Sequence, residues 1–324
     1  MEKYLRKCLD SLVIESEGMK QLEVLVINDG SKDTSSQIAQ EYQNKYPDTF
    51  RVIDKENGNY GSCINRGLRE ATGKYVKILD ADDSFVKENI ISLINCMLEF
   101  DVDMFLTNYY RVDEDGNITN KTARKFKKST VLSIDEYLDK DFKFEMHEIA
   151  YKTCILKKNG YRQTEGVSYT DVEWATIPFA WINTFVNLDL FIYKYLVGRE
   201  GQTVGMKSFL KNSHHSFIGI FSEVQFYLDW KDKLPINRIN YLRQRIIERL
   251  TINYKKYLYV GFQLDLKTLL EWDNKLKETA FDLWEELDDK AIARWRKNPS
   301  EYTISRFARN IQLVRNLLSS WFSN

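Results

Sequence analysis

The sequence predicts an α/β protein with a mostly parallel sheet and flanking helices, followed by an all-helical C-terminal region. Three short apolar runs, at residues 22–27, 51–54 and 75–79, alternate with amphipathic helical stripes. Such β-α-β-α-β alternation is typical of parallel strands joined by right-handed crossovers. From residue 206 onwards, apolar residues recur every three or four positions, which is typical of helices. A chain of 324 residues is long enough for about two domains.

Composition and charge argue against several classes of protein. The 47 basic and 47 acidic residues cancel, so the chain lacks the basic excess of a nucleic-acid-binding protein. The four cysteines lie far apart without a C-x-x-C spacing, which favours reduced thiols in a cytoplasmic protein over disulfides or a zinc site. No uninterrupted apolar run reaches the ~18 residues of a membrane span.

The elements of the first third follow one another with clear boundaries. An amphipathic helix begins at Met1, and the run at 22–27 is predicted to be a buried strand that ends in Asn28-Asp29-Gly30-Ser31. A helix over 34–45, the strand at 51–54, a loop at 57–61 and a second helix through residue 68 come next. Gly73 stops that helix, and the strand at 75–79 begins directly after it.

Three carboxylates, Asp80, Asp82 and Asp83, stand where the strand at 75–79 ends. Ligands of open α/β sheets bind beyond the carboxyl ends of the strands, and Asp29 is predicted to reach the same rim. In extended backbone, Asp80 and Asp82 point to one side, and paired carboxylates suit Mg²⁺ or Mn²⁺. The D-x-D spacing recurs elsewhere in the chain, where solvated turns are the ordinary interpretation. Its place at the end of a predicted buried strand distinguishes this pair.

The order of these motifs resembles the family 2 glycosyltransferases, which have the GT-A fold. The resemblance rests on Asn28-Asp29-Gly30-Ser31, on the loop and helix that carry Asn57, Gly61 and Asn65, and on Leu79-Asp80-Ala81-Asp82-Asp83. Further on, residues 165–174 resemble the acidic motif on the acceptor side. Residues 198–204 resemble a segment of the capsule and exopolysaccharide members. The resemblance covers residues 1 to about 205.

The resemblance implies an inverting, metal-dependent transfer of a sugar in the synthesis of cell-surface polysaccharide. The donor is a nucleotide-diphosphate sugar, with a UDP-sugar favoured, and the acceptor is a glycan or a polyprenyl-phosphate-linked molecule. The implied cofactor is Mn²⁺ or Mg²⁺. Residues 1–110 form the donor-binding half, residues 111–205 the acceptor-binding half, and residues 206–324 a helical region. The implied location is cytoplasmic, with peripheral contact to the inner face of the plasma membrane.

The resemblance also assigns roles to single residues. Asp29 is expected to hydrogen-bond the nucleotide base, Asp80 to lie near the ribose and the metal, and Asp82 to bind the metal that bridges the diphosphate. Arg199 is expected to contact phosphate, and Asp171 to be the catalytic base. The remaining donor-binding positions are Asp54, Asn57, Gly61 and Asn65.

The residues around Asp171 also have plain structural interpretations. Asp171 stands just before a predicted helix, so the sequence alone favours a helix N-cap, and the resemblance favours the base. Glu173 is the reserve candidate for the base. Trp174 and Trp181 are expected to pack in a core rather than stack on a sugar.

One departure from the family pattern concerns the first strand. Family members begin with a strand that lies centrally in the sheet, between those carrying Asp29 and Asp80, and this sequence begins at the helix that follows it. Two unpaired strand edges would result, at a cost in free energy. We expect either that the start is assigned too late or truncated, or that the protein binds its donor weakly or not at all.

The second half holds fewer signals. Residues 113–117 predict a hairpin turn rather than a calcium loop, because the closing glutamate is absent. A basic run over 121–128 is interpreted as a solvated segment, with attraction to a phosphate-bearing lipid or an anionic membrane as the alternative. His147 lacks a second histidine four residues on, so a metalloprotease motif is excluded. The helix predicted over 304–318 could dock on the protein or lie on a membrane.

Three classes of function remain after these observations. The leading one is the glycosyltransferase. A nucleotidyltransferase shares an acid-rimmed α/β site, but it would need a glycine-rich phosphate loop near the amino terminus, and none is seen. The third class is a non-catalytic protein of the same fold that binds a nucleotide or glycan.

Overall fold

A computed structural model describes residues 1–138, 142–199, 201–202, 206–260 and 266–299. The chain divides into two compact units, residues 1–200 and residues 201–324. None of the described helices is long and apolar enough to cross a membrane.

The first unit contains nine strands and seven α-helices within its described residues. Its strands are β1 (Val24–Asp29), β2 (Phe50–Lys55), β3 (Tyr75–Lys77), β4 (Ser84–Phe85), β5 (Met104–Val112), β6 (Ile118–Thr122), β7 (Val131–Ser133), β8 (Ile149–Lys152) and β9 (Thr184–Leu196). Its helices are α1 (Glu2–Asp10), α2 (Ser16–Met19), α3 (Ser35–Lys45), α4 (Asn59–Glu70), α5 (Lys87–Glu99), α6 (Thr153–Lys158) and α7 (Asp171–Trp174). Short 3-10 turns lie at Ile134–Glu136, Met146–Glu148 and Ile177–Ala180.

The helices of the amino-terminal region form because their apolar residues repeat at helical spacing. Leu5 and Leu9 of α1 lie one turn apart and pack with Ile38 of α3 and with Phe50 of β2 in one buried cluster. Tyr42 of α3 joins this cluster, and its hydroxyl donates a hydrogen bond to the Asp10 carboxylate at 2.6 Å. The cluster therefore fixes α1 and α3 beside the short β1–β2 sheet.

The strands form two separate sheets. Strands β1 and β2 pair in parallel, with Asp29 of β1 opposite Lys55 of β2. The second sheet has the order β3-β8-β5-β9-β4, with β6 beside β5 and β7 beside β9. Its β5–β9 pair is parallel and its other pairs are antiparallel, so the sheet is mixed.

The separation of the sheets bears on two expectations from the sequence. The first three strands were expected to belong to one parallel sheet with a strand missing between β1 and β3, and β1 indeed forms no ladder with β3. The apolar run of β1 was expected to be buried, and instead all six of its residues are half-buried. The physical reason is a cavity of about 710 Å³ between β1 and β3, which we call the inter-sheet cavity and which is lined by residues 24–27 and 75–80 among others.

The second unit is helical over its described residues. Its helices are α8 (Met206–Trp230), α9 (Ile236–Val260), α10 (Leu266–Thr279), α11 (Phe281–Glu286) and α12 (Lys290–Lys297). Pro235 immediately precedes α9, where its fixed backbone angle suits a helix start. The predicted apolar stripe of α9, which includes Ile246 and Leu250, is buried against Leu269 and Trp295. The helix predicted over residues 304–318 lies outside the described residues.

Candidate active site

The acidic stretch after β3 forms a tight turn. Strand β3 ends at Lys77, and the backbone amide of Asp83 donates to the Asp80 carbonyl at 3.0 Å. The expectation that Asp80 and Asp82 share one side of an extended strand is therefore wrong, because a turn does not follow the two-residue alternation of a strand. What brings these carboxylates together is the turn itself.

Asp83 anchors this turn to the second sheet. Its side chain is buried and accepts hydrogen bonds from the Tyr193 hydroxyl at 2.6 Å and from the Leu196 amide at 2.7 Å, both on β9. Burial, reinforced by the charges of Asp80 and Asp82, raises the pKa of Asp83 to about 8. Both of its oxygens are occupied by the protein, so Asp83 positions the other two acids and offers little to a ligand.

Asp80 lies at the meeting point of several polar groups. Its backbone amide donates to the Tyr193 hydroxyl oxygen at 3.1 Å, which ties the turn to the same tyrosine that holds Asp83. Burial raises the pKa of the Asp80 carboxyl to about 7, and the negative charges of Asp82 and Asp171 add to this rise. A hydrogen bond with Tyr60 acts in the opposite direction. A cation beside a carboxyl in this setting stabilises its ionised form.

Asp82 forms an ion pair with Arg199. The Arg199 Nε donates to an Asp82 oxygen, and both side chains are largely shielded from water. The guanidinium also lies over the ring of Tyr4, with its centre 5.7 Å from the ring centroid. The predicted metal ligand and the predicted phosphate contact therefore neighbour each other at one point of the rim.

A second cluster holds Asp29 at the end of β1. Lys55 at the end of β2 forms an ion pair with its carboxylate, and the Gly58 amide donates to the same oxygen at 2.9 Å. The Asn57 side chain donates to the Asp29 carbonyl at 3.1 Å. Asp54 accepts a hydrogen bond from Asn28 at 2.6 Å, as the parallel register of these strands requires. Asp29, Asp54 and Asn57 thus lie together at the carboxyl ends of β1 and β2.

Gly61 and Asn65 bind helix α4 to the segment that leads to Asp171. A Cβ added at Gly61 would lie 1.9 Å from the carbonyl oxygen of Thr164, so only glycine fits. The Asn65 side chain exchanges two hydrogen bonds with the backbone of Gln163, each 2.8 Å long. These two predicted donor-binding residues hold the backbone at residues 163–165 in place.

Asp171 is the first residue of α7, and Thr170 occupies the N-cap position. The N-cap interpretation of Asp171 is therefore wrong by one residue. The Asp171 charge raises the pKa values of Asp80, Tyr60 and Glu145, so its carboxylate lies within electrostatic range of all three. Asp171, which belongs to the predicted acceptor segment, thus lies within electrostatic range of Asp80, which follows β3.

Glu173 and Trp174 face the interior instead. Glu173 is fully buried and accepts a hydrogen bond from the Thr164 amide at 2.8 Å, which explains its presence without any catalytic role. Trp174 is also fully buried, and its ring packs edge-on against Tyr151, with ring centroids 5.1 Å apart. The expected core role of Trp174 is confirmed.

Several neighbours of the acids were not found by sequence reasoning. Tyr60 and Glu145 lie within electrostatic range of Asp171, Tyr193 holds the acidic turn, and Lys55 pairs with Asp29. Only Lys55 had a usable signal, since it ends β2 as Asp29 ends β1 and parallel pairing sets such residues side by side. The other three come from distant parts of the chain.

Two residues of the basic run, and His147, make contacts within the first unit. Arg124 donates two hydrogen bonds, of 2.5 and 2.6 Å, to the fully buried carboxylate of Glu148. Lys128 forms an ion pair with Asp189. The His147 ring is buried against that of Tyr195, with centroids 4.4 Å apart, and burial lowers its pKa to about 3. His147 is therefore neutral at physiological pH.

The described carboxylates are too few to hold a divalent cation by themselves, so a bound ligand must supply further oxygen atoms. Within the described residues, no group of three or more His, Cys, Asp or Glu side chains is arranged to hold a metal ion. Asp80 and Asp82 supply carboxylate oxygens, and Mg²⁺ is commonly held by one or two carboxylates together with substrate phosphates. The residues present fit a cation that is shared with a diphosphate.

Comparison with known proteins points to one family. Residues 1–159, just under half of the chain, match the family described as glycosyl transferase family 2. An uncharacterized glycosyltransferase of Mycoplasma genitalium, MG025, is 29% identical to this protein over 184 residues, which cover 51% of this chain and 60% of the relative. The chain spans 16% of the length of one curated relative that it matches and 60% of another.

Solved structures agree with the predicted GT-A fold. Residues 1–349 of TarS from S. aureus, crystallised with UDP-GlcNAc, superimpose with a TM-score of 0.62 at 19% identity, covering 99% of this chain and 88% of that one. A mannosyltransferase from Pyrobaculum calidifontis, crystallised with GDP-Man and Mn²⁺, gives a TM-score of 0.51 at 16% identity, covering 98% and 82%. At these identities the likeness shows the fold alone, and it confirms the predicted fold class.

Proposed function

We propose that this protein is an inverting, metal-dependent glycosyltransferase that moves a sugar from a nucleotide-diphosphate donor to a glycan or a polyprenyl-phosphate-linked acceptor. One observation carries the proposal. Asp171, from the second half of the first unit, raises the pKa of Asp80, which follows β3. Acids from two separate parts of the chain therefore lie within electrostatic range of each other, which supports a site with a donor side and an acceptor side.

The donor side uses the carboxyl ends of the strands. Asp29 would accept hydrogen bonds from the nucleotide base, with Asp54, Asn57, Gly61 and Asn65 shaping the pocket. Asp80 and Asp82 would hold Mn²⁺ or Mg²⁺ together with the diphosphate. When bound, such a cation offsets the negative charge that develops on the departing diphosphate.

Arg199 would act on the same phosphates. In the structure its guanidinium is paired with Asp82, so arrival of a diphosphate gives it a second anionic partner. Charge-assisted hydrogen bonds of arginine to phosphate are among the stronger polar contacts in proteins. We infer that Arg199 turns from Asp82 towards the phosphates as the donor binds.

Asp171 would act as the base on the acceptor side. Its carboxylate takes the proton of the acceptor hydroxyl as that oxygen forms a bond to the anomeric carbon. The bond between this carbon and the diphosphate oxygen breaks on the opposite face, so the configuration inverts and the nucleoside diphosphate leaves. Glu145, whose pKa burial raises to about 7, would keep negative charge near Asp171 low.

The donor and acceptor are the finer part of the proposal. The TarS structure was crystallised with UDP-GlcNAc, and this favours a UDP-sugar as the first donor to test. We place the reaction in the synthesis of cell-surface polysaccharide, in the cytoplasm and at the inner face of the plasma membrane, where polyprenyl-linked acceptors are found.

Calorimetry and turnover together test the assignment. We expect UDP and UDP-GlcNAc to bind in the presence of Mn²⁺, with binding lost in Asp82→Ala and kept in Asp171→Ala, and with turnover lost in both. Asp115→Ala is the matched control, because Asp115 belongs to a D-x-D pair on an exposed hairpin and should change neither quantity. Normal turnover by Asp171→Ala would remove it as the base.

The alternative is a non-catalytic protein of the same fold that binds a nucleotide or glycan. The inter-sheet cavity favours it, because the cavity reaches Asp80 and leaves the rim beside it without a packed neighbour. Under this alternative, donor binding persists without release of UDP from any tested sugar donor, with either a glycan or a polyprenyl-phosphate-linked acceptor present.

A further inference from the structure

The Arg199 guanidinium lies between an acid and an aromatic ring. Its Nε donates to the Asp82 carboxylate, and its centre lies 5.7 Å from the centroid of the Tyr4 ring on α1. A guanidinium within about 6 Å of a ring centroid is attracted by the electrons of the ring face. The Arg199 side chain is only 16% exposed, and shielding from water strengthens this attraction. The Tyr4 ring therefore holds the guanidinium from a second side.

The position of the Tyr4 ring is set from its hydroxyl end. The Tyr4 hydroxyl donates to the Glu114 carboxylate at 2.7 Å, and Lys3 donates to the same oxygen at 2.8 Å. Glu114 belongs to the hairpin between β5 and β6, 110 residues from Tyr4 along the chain. The hydrogen bonds from Lys3 and Tyr4 lower the pKa of Glu114, and the charge of Arg199 adds to this effect. Glu114, Tyr4 and Arg199 thus form one local group.

The hairpin tip that carries Glu114 is closed by its own hydrogen bonds. The Asp113 carboxylate accepts from the Asn117 amide at 2.8 Å and from the Asn117 side chain at 3.1 Å. The Gly116 amide donates to the Asp113 carbonyl at 3.0 Å. A turn closed in this way is a firm support, so Glu114 can hold the Tyr4 hydroxyl in one place.

Strands β5 and β9 bring Glu114 and Arg199 to the same end of the second sheet. The two strands are parallel, and the Val197 amide donates to the Val112 carbonyl at 2.9 Å. Glu114 and Arg199 each follow one of these two residues by two positions. Because paired parallel strands end at the same edge, both side chains reach the rim beside Tyr4.

Asp82 has two competing partners. In the proposed function it binds a divalent cation, whereas in the structure it forms an ion pair with Arg199. A divalent cation at Asp82 would repel the guanidinium and take over the charge that now holds it. A long side chain released in this way gains rotamer freedom, which binding of the diphosphate would then have to remove. The Tyr4 ring can prevent this loss of order, because it carries no charge that the cation could take over.

We propose that the Tyr4 ring keeps the Arg199 guanidinium at the rim when a divalent cation occupies Asp82, so that the diphosphate meets Arg199 already in place. Glu114 on the hairpin tip fixes the ring. This role rests on the proposed function, since it concerns the phosphates of the donor. Tyr4 and Glu114 are positioning residues, because they act on the phosphates through Arg199.

Binding of UDP and of uridine, each measured by calorimetry with Mn²⁺ present, tests this role. The two ligands share the base and the ribose, and only UDP carries the diphosphate. We expect Tyr4→Leu to weaken UDP binding about tenfold, as for loss of a shielded contact between a cation and a ring, and to leave uridine binding unchanged. Tyr4→Phe keeps the ring and should lose no more than about threefold. Equal losses for both ligands in Tyr4→Leu would overturn the role, because damage to α1 would also loosen the neighbouring β1–β2 sheet that carries Asp29.

Two matched variants accompany Tyr4→Leu. Glu114 is exposed, so Glu114→Ala should fold even if Tyr4→Leu does not, and it should weaken UDP binding about threefold without affecting uridine. Tyr46 is, like Tyr4, a half-buried tyrosine beside a cation, with its ring centroid 5.1 Å from the Lys45 ammonium. It packs against Phe50, where β2 begins, at the opposite end of that strand from the acidic rim. Tyr46→Leu should therefore change the binding of neither ligand.

Arg199→Met separates this role from the proposed function. We expect it to weaken UDP binding but not uridine binding, and we expect Tyr4→Leu to add no further loss in the double variant. A further tenfold loss in the double variant would overturn the role of Tyr4 and leave the proposed function standing. The same holds if Arg199→Met weakens UDP binding while Tyr4→Leu, or Glu114→Ala where Tyr4→Leu does not fold, leaves it unchanged. Equal affinity of the wild type for UDP and uridine would instead overturn the diphosphate site itself, and the role of Tyr4 with it.

Discussion

Gly61 offers a test of how tightly helix α4 and the Thr164 segment approach each other. In Gly61→Ala, the new Cβ would lie 1.9 Å from the Thr164 carbonyl oxygen and 2.8 Å from its carbon. Both atoms belong to the backbone, so no flexible side chain can yield. Helix and segment must separate by about 1.5 Å to restore ordinary van der Waals contact.

The size of the effect follows from two opposing terms. Overpacking of a buried site costs about 3 kcal/mol when the backbone must move. Replacement of glycine by alanine within a helix stabilises the folded state by about 1 kcal/mol. We therefore expect Gly61→Ala to lower the free energy of unfolding of the first unit by about 2 kcal/mol.

Gly67 in the same helix is the matched control. A Cβ there would lie 3.7 Å from a side-chain carbon of Ile27, which is ordinary contact. Gly67→Ala should raise the free energy of unfolding by up to about 1 kcal/mol, so the two variants should differ by about 3 kcal/mol.

The assay is urea-dependent hydrogen exchange, followed by mass spectrometry on peptides of α4 and β1. This method reports on the first unit by itself, which matters because the chain has two compact units. The variant should also lose turnover, since the shifted segment carries Gln163 and leads to Asp171. Equal stability of Gly61→Ala and the wild type, or a larger loss in Gly67→Ala, would refute the reasoning.

Three further predictions follow from buried groups. Arg124→Ala leaves the buried Glu148 carboxylate without its arginine and should lower the free energy of unfolding by about 3 kcal/mol, measured in urea; adding Glu148→Gln should recover part of that loss, and no recovery would contradict the assignment. Burial raises the pKa of Glu145 from 4.5 to about 7, so its contribution to stability is complete below pH 4.5 and is lost as the pH rises through 7. Between pH 5 and pH 8, the free energy of unfolding of Glu145→Gln should therefore fall by about 1–2 kcal/mol less than that of the wild type, a difference reduced by the partial exposure of Glu145. Parallel pH profiles of the two proteins would contradict this. Iodoacetamide should modify the exposed Cys154 well before Cys8, whose thiol is buried and has a raised pKa, and peptide mass spectrometry would show the reverse order if the packing of α1 is wrong.

Much of the local structure could be predicted from the sequence. The helix at Ser35–Lys45 was expected to within one residue, and the hairpin after β5 was expected from its turn residues. Both depend on neighbours within a few positions, such as the apolar spacing of α3 or the positive φ of Gly116. The acidic ends of β1 and β3 were visible for the same reason, since a strand and the residues after it are adjacent in the chain.

The conformation of the acidic stretch was harder to foresee. Residues 78–83 were expected partly as strand, but the hydrogen bond from Asp83 to Asp80 closes a turn. That turn is stabilised by Tyr193, which lies 110 residues from Asp83 along the chain. Local propensity favours a longer strand, and a distant tyrosine decides otherwise.

The sequence by itself determined the alternation of strands and helices, the acids at the strand ends and the helical character of the second unit, because each is written in short-range periodicity. Only the tertiary structure decided that Asp82 pairs with Arg199, 117 residues away, and that Asn65 binds the backbone at Gln163, 98 residues away. It also decided the size of the cavity between β1 and β3, about 710 Å³. Such pairings depend on how whole elements pack against each other, and no window of neighbouring residues contains that information.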